Sequence, residues 1–383
     1  MRPPEFDLLT ACARVHPEVL KVQACVRKEI NWPMLLQLAD RNGVRPLLTN
    51  TLRSLCWPSV PNSIQMVLDA RHKSHVHESL LYSGELLRLL ELFTAQQIPI
   101  AVFKGPVLAQ SVYGDPCLRD FGDLDFLVNA ADVNKSETLL VNAGYDPTCA
   151  DEDFRSTFLG YQCEYTYRHR RTGIILDLHW RLPAKGGDEI WSRLTSQPIF
   201  GRLVPTFGRD DLILFLAVHG TKDGWSCLKH VCDFTEALRT YGDIDWTTIV
   251  AMAKQSRSIR PLLLAILLAS RLLDAPVPKD LLRKAQKNSA LTALAVAAEA
   301  RFLVSTAPGE LWWFLKDLSA QDSLGDRLRP MMTLVTTRTV GDYIALPLPS
   351  ALWGLYYVTR PFRLAGKALS YLIQTAKAIA RRA

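Results

Sequence analysis

Two aspartates stand two residues apart at the start of an apolar run, Asp123-Leu124-Asp125-Phe126-Leu127-Val128, and a third lies in Ile175-Leu176-Asp177-Leu178-His179. A strand turns alternate side chains to one side, so Asp123 and Asp125 project together, and Asp177 shares a side with His179. If the two strands are neighbours, three carboxylates converge. Such a cluster repels itself and raises its own pKa values until a cation joins it. Oxygen ligands at that density suit Mg²⁺ or Mn²⁺ rather than zinc, and magnesium commonly completes its shell with substrate phosphates. The chemistry served by such a set is phosphoryl or nucleotidyl transfer. The competing reading is a turn that leaves surface acids at the mouth of an ordinary strand. Context favours the shared metal site: Lys104-Gly105 follows the preceding strand, and Arg119-Asp120 lies just before the pair.

The elements that must hold these residues follow from periodicity. Residues 5–95 carry apolar positions at intervals of three and four, which predicts helices. Asn31 suits an N-cap, with Pro33 in the first turn. The pattern then changes. Residues 98–105, IPIAVFKG, are short, apolar and β-branched, as in a buried strand; PVLAQSVYG reads as a short helix ended by Gly114. DLDFLV is a second strand, and ADVNKSETLLVNAGY a helix stopped at Gly144. CEYTYRHR and GIILDLHWRL flank Arg171-Thr172-Gly173, a hairpin turn. From Asp210 to about residue 305 the pattern is helical again. The expected fold is α+β, a small mixed sheet between helical flanks. The expected division is an N-terminal helical region (1–95), an α/β core (96–205), a C-terminal helical domain (206–340) and a basic amphipathic tail (341–383).

The run Lys104-Gly105, Tyr113-Gly114, Arg119-Asp120, Asp123-Leu124-Asp125 and Leu176-Asp177-Leu178-His179-Trp180 resembles the bacterial nucleotidyltransferases of the DNA polymerase β-like superfamily. The match is to the branch of uncharacterised nucleotidyltransferases found in biosynthetic gene clusters. It is most specific over residues 98–182 and extends more loosely to His219, His230, Asp233 and Arg360-Pro361. The superfamily turn usually has a small hydroxyl residue after glycine; here Pro106 follows Gly105. The resemblance implies that Asp123 and Asp125 hold two Mg²⁺ ions. Asp177 would hold the ion near the attacking hydroxyl and help deprotonate it. Gly105 would let backbone N–H groups approach phosphates, aided by the positive end of the helix that follows. Lys104 and Arg119 are the expected triphosphate contacts, against a role as solvated surface charges. His179 is a candidate for phosphate binding, acceptor positioning or metal support, against simple packing beside Trp180. His219 and Asp233 are nucleotide-site candidates on the following helices, against ordinary satisfied side chains.

Other classes are excluded by what is missing. There is no G-x-S-x-G elbow and no P-loop. Eight cysteines form no CxxC pair and no zinc or disulfide spacing, and the N-terminus lacks a signal-peptide core, so a reduced, cytoplasmic protein is expected. No long uninterrupted apolar run predicts a spanning helix. The net charge of +7 is too mild and too scattered for extensive nucleic-acid backbone contact. After Asp342 no acid follows, while Arg360, Arg363, Lys367, Lys377, Arg381 and Arg382 do. In that tail Leu364, Leu369, Leu372, Ile373, Ala376 and Ile379 would line one helix face. It could lie peripherally on the inner membrane surface, dock on a partner, or pack on the protein's own helical domain. Trp312 and Trp313 suit any of these.

The function expected is therefore metal-dependent transfer of an NMP, AMP by default, from an NTP to a hydroxyl or similar nucleophile, with release of pyrophosphate. The acceptor is a small molecule, a protein side chain or an RNA end. Two rivals stand: a catalytically weak scaffold of the same fold that binds a partner or membrane, and a toxin-like enzyme acting on tRNA.

Overall fold

The computed structural model describes residues 2–148, 163–182, 187–303 and 340–366. The N-terminal flank consists of α1 (Pro4–Cys12), α2 (Val19–Val26), α3 (Trp32–Arg41), α4 (Arg45–Leu55) and the long α5 (Asn62–Ala95). Asn31 caps α3 by accepting from the Met34 N–H at 3.1 Å. β1 (Ile100–Val102) leads into the short α6 (Gly105–Leu108), which is continued by a wider turn over Ala109–Tyr113 and stopped at Gly114 with φ +75°. β2 (Asp123–Val128), α7 (Val133–Asn142), β3 (Tyr145–Pro147), β4 (Glu164–His169) and β5 (Ile175–His179) complete the centre.

The sheet has five strands in the order β1-β2-β5-β4-β3. It is mixed: β2 and β5 run parallel, and the other neighbours are antiparallel. Period-two alternation separates its faces. Leu124, Phe126, Val128, Tyr165, Tyr167, Leu176 and Leu178 join Leu86, Leu89 and Phe93 of α5 and Leu140 of α7 in one buried cluster. The intervening positions, Asp123, Asp125, Glu164, Thr166, Asp177 and His179, share the opposite face.

Of the C-terminal helices, α8 (Arg209–Lys222) and α9 (Leu228–Tyr241) face that second side across a cavity, and α10 (Trp246–Gln255), α11 (Ile259–Leu273), α12 (Lys279–Gln286) and α13 (Ser289–Leu303) complete the helical flank. Their apolar residues form a single cluster with α1 to α4 and with Phe103, Leu108 and Leu127. The N- and C-terminal flanks, read in the sequence as separate regions, thus share one core. A hairpin not anticipated from the sequence, β6 (Thr195–Ile199) and β7 (Arg202–Thr206), turns at Phe200 and Gly201, with φ +45° and +79°. Pro198 and Pro205 hide it, because proline inside a run argues against a strand; a two-stranded ribbon accommodates both on its outer edges.

Among the described residues, no helix is long and apolar enough to cross a membrane. In the tail, Arg360 and Arg363 do not face outward as the amphipathic pattern suggested. Both bind Asp342, and the Arg360 side chain is only 5 % exposed. Leu369, Leu372, Ile373, Ala376 and Ile379 lie outside the described residues, as do Trp312 and Trp313.

Candidate active site

The parallel register of β2 and β5 sets Asp125 directly opposite Asp177. Asp123 projects from the same face at the mouth of β2, and His179 from the same face of β5. Asp123, Asp125, Asp177, His179, Lys104, Arg119 and His219 all line one cavity of about 370 Å³ between the sheet and α8–α9. Its wall also includes Lys222, Lys229, Arg181 and Glu164.

Asp125 is at the centre of the network. Its Oδ1 accepts from Lys104 Nζ at 2.8 Å and pairs with His179 Nε2 at 3.1 Å. Burial alone would raise this carboxyl's pKa, but the Lys104 ammonium and the imidazole hold it well below the usual carboxylate range. His179 in turn meets Glu164 Oε2 through Nδ1 at 3.0 Å. Burial disfavours charge on His179, yet hydrogen bonds to Asp125 and Glu164 outweigh it and lift the imidazole to about 9. At neutral pH His179 is therefore an imidazolium donating from both nitrogens, a clamp on Asp125. Burial raises Asp177 to about 6, with Asp125 and Asp123 adding to the rise although Thr166 Oγ1 donates to its Oδ1 at 2.6 Å. Asp123 is raised as well, by burial and then by Asp125.

The donor set fits a divalent cation. Carboxylate oxygens of Asp125 and Asp177 lie within 4.8 Å of one another, with the protonated His179 holding Asp125 rather than acting as a ligand. Asp125 Oδ2 is buried and has no hydrogen-bond partner among the described residues, an arrangement costly for a carboxylate unless a cation completes it.

Gly105 lies beneath this group rather than on the cavity wall. Its φ is +54°, and a Cβ there would sit 3.1 Å from the Asp123 carbonyl oxygen. Glycine lets the turn close against the mouth of β2. Arg119, on the cavity wall, and Asp233, both read in the sequence as nucleotide contacts, are joined to each other. Arg119 donates from Nε and Nη2 to the two oxygens of Asp233 at 2.7 and 2.9 Å, and Tyr113 donates to the same carboxylate at 2.6 Å. The pair ties α9 to the segment before β2; Asp233 does not line the cavity. His219 stacks on Phe215 at 5.4 Å between centroids and faces Asp223 and His230.

Glu164 and Thr166 were missed in the sequence. The signal was present: in Glu164-Tyr165-Thr166-Tyr167 the polar positions alternate with tyrosines, as in a strand with one wet face. What was lacking was the pairing that sets Glu164 opposite His179 and Thr166 opposite Asp177.

The site is thus a small mixed sheet with acids paired across parallel strands, facing helices that bring lysines to the cavity. The sequence matches the family of uncharacterised nucleotidyltransferases over residues 28–274, more than half of the chain, and the protein belongs to that family. It is accordingly an enzyme of the transferase class. No curated protein matches it in sequence. Among solved structures it is similar to the lincosamide antibiotic adenylyltransferase LnuA bound to lincomycin, with 18 % identity over 34 % of this chain and 84 % of that one, TM-score 0.26. It is similar to ANT(2")-Ia in complex with adenylyl-2"-tobramycin, with 14 % identity over 46 % of this chain and 98 % of that one, TM-score 0.36. A third is an antigenic nucleotidyltransferase-like protein from Paracoccidioides brasiliensis, with 15 % identity over 58 % and 92 % of the two chains, TM-score 0.28. These likenesses are partial, and the chemistry has to be read from the cavity itself.

Proposed function

We propose that the cavity transfers an NMP, with ATP the first donor to test, to a hydroxyl of a small-molecule acceptor. Asp123, Asp125 and Asp177 are the acting residues. The observation that carries this reading is the Asp125–Asp177 register together with the buried, unpartnered Asp125 Oδ2. Mg²⁺ or Mn²⁺ held by these carboxylates would supply charge stabilisation to the attacking and leaving oxygens. The cavity, of about 370 Å³, lies within the range of small-ligand sites.

The chain's own groups then have distinct tasks. Asp177, with a pKa of about 6, is ionised at neutral pH yet basic enough to take the acceptor hydroxyl's proton. The acceptor oxygen forms its bond to the α-phosphorus as the bond to pyrophosphate breaks. Lys222, Lys229 and Arg181 bring positive charge to the wall where a triphosphate would lie. Lys104 and the His179 imidazolium fix Asp125, and Glu164 fixes His179. The residues behind this reading are exposed to a direct test. The protein is incubated with each labelled NTP, Mg²⁺ and a panel of hydroxylated small molecules, and pyrophosphate is followed. Asp125→Asn and Asp177→Asn are expected to lower release by about 100-fold or more. Release that persists in both variants would remove these acids from the chemistry.

A further inference from the structure

On the helical wall of the cavity, away from the sheet acids, a second group of ligand-bearing side chains converges. His219 lies in the last turn of α8 and Asp223, four residues on, is the residue that ends it. His230 comes from the first turn of α9. Their ligand atoms lie within 4.8 Å of one another. His219 Nε2 is 3.4 Å and His230 Nε2 3.8 Å from the same oxygen, Asp223 Oδ2. Those separations are longer than the roughly 2.7–3.2 Å of an N–H···O hydrogen bond. The shorter matches the edge of a tetrahedron with metal–ligand bonds of about 2.0–2.1 Å, roughly 3.3–3.5 Å, and the longer, 3.8 Å, needs His230 to move inward by a few tenths of an ångström.

The arrangement is also held in place. The connection between α8 and α9 is tight: Trp225 donates its N–H to the Gly220 carbonyl at 2.7 Å, and a Cβ on Gly220 would stand 2.8 Å from the Trp225 ring. The His219 ring is stacked on Phe215 and meets the His230 ring edge-on, with centroids 5.4 Å apart in each case. All three side chains line the cavity.

We propose that His219, Asp223 and His230 form a three-ligand site for a borderline transition-metal cation such as Zn²⁺, with its fourth position open to the cavity. Two imidazoles and one carboxylate with an open position are a donor set typical of zinc at reactive sites. The fourth ligand is an oxygen of the molecule in the cavity. Lys104, Lys222 and Lys229 line the same space, so the imidazole nitrogens, rather than local negative charge, select the ion; Mg²⁺, which prefers an all-oxygen shell, is rejected. The spacing His-x₃-Asp-x₆-His matches no familiar zinc motif, and the site depends on the turn that folds α9 back beside α8. This inference does not rest on the reaction proposed above.

Co²⁺ is the probe, because tetrahedral Co²⁺ absorbs in the visible while zinc is silent. The full-length wild type and Asp125→Asn, which disables the sheet acids, should both bind one Co²⁺ with strong visible bands that excess Mg²⁺ does not remove. His219→Gln and His230→Gln should each weaken that binding by about tenfold or more. Absent bands in the wild type, bands unchanged in both histidine variants, or bands lost in Asp125→Asn would overturn the proposal. Should the histidine variants misfold, anomalous diffraction at the zinc edge from wild-type crystals grown with Zn²⁺ decides. A peak between His219, Asp223 and His230 upholds the site, and a peak elsewhere or none refutes it.

Discussion

The chemistry turns on how two neighbouring side chains are poised. Asp177 is pushed up to about 6 by burial and by its acidic neighbours, and His179 up to about 9 by its two carboxylate partners. A reaction needing Asp177 ionised and His179 protonated runs fastest between those values. Activity should fall as pH drops below about 6 and again as it rises past about 9, with bound Mg²⁺ moving the acid limb lower; a pH–rate profile checks this. The same shift has a cost in stability. The folded pKa of Asp177 lies above its unfolded value, so the native state holds the proton more tightly. The stability gained from protonated Asp177 is present at low pH and is lost as pH rises from about 4 to about 6. Without divalent cations, Asp177→Asn should therefore stabilise the protein at neutral pH by about 1–2 kcal/mol, discounted for partial exposure, visible as a higher Tm. Glu164→Gln leaves Asp125 intact but weakens the clamp on His179. It should cost about 10–100-fold in activity, with the upper pH limb moved down because the histidine loses a carboxylate partner.

At the scale of elements, the site depends on joints between strands and helices. Arg119 and Asp233, both buried, bind α9 to the approach to β2. Removing one partner strands a buried charge. Arg119→Met or Asp233→Leu should each cost about 3–5 kcal/mol in urea unfolding, and the double substitution Arg119→Met/Asp233→Leu less than their sum. The same joints show what could be read from the chain. The β2 and β5 acids were legible because a strand's period of two and apolar neighbours state which way they point. Gly114, Gly144 and the Arg171–Gly173 turn were legible because local chemistry ends helices and turns hairpins. The pairing of Arg119 with Asp233 was not legible, for the opposite reason. An arginine near acids reads the same whether it meets a phosphate or an aspartate 114 residues away. Glu164 and Thr166 gain meaning only from strand pairing, which is also long-range.

Over the whole molecule, the sheet domain is held between flanks that are distant in sequence and continuous in space. α1 to α4 and α8 to α13 contribute to one buried cluster, and α5 adds Leu68 to it while packing Leu86, Leu89 and Phe93 against the sheet. Helical periodicity revealed each flank but not their union, because it reports which face is apolar and not what covers it. The flanks should unfold together. Calorimetry is expected to show one transition for the helical flanks and the sheet, and deletion of residues 1–56 to leave no folded remainder; two separated transitions would divide them. The central claim is that carboxylates from β2 and β5 gather a divalent cation and a nucleotide in the cavity under α8 and α9. Calorimetric titration with a non-hydrolysable ATP analogue, with and without Mg²⁺, tests it most directly, since no acceptor is needed. Binding should require Mg²⁺ in the wild type and fall by about tenfold or more in a folded Asp125→Asn variant. Equal affinity in the variant, or binding indifferent to Mg²⁺, would contradict the account.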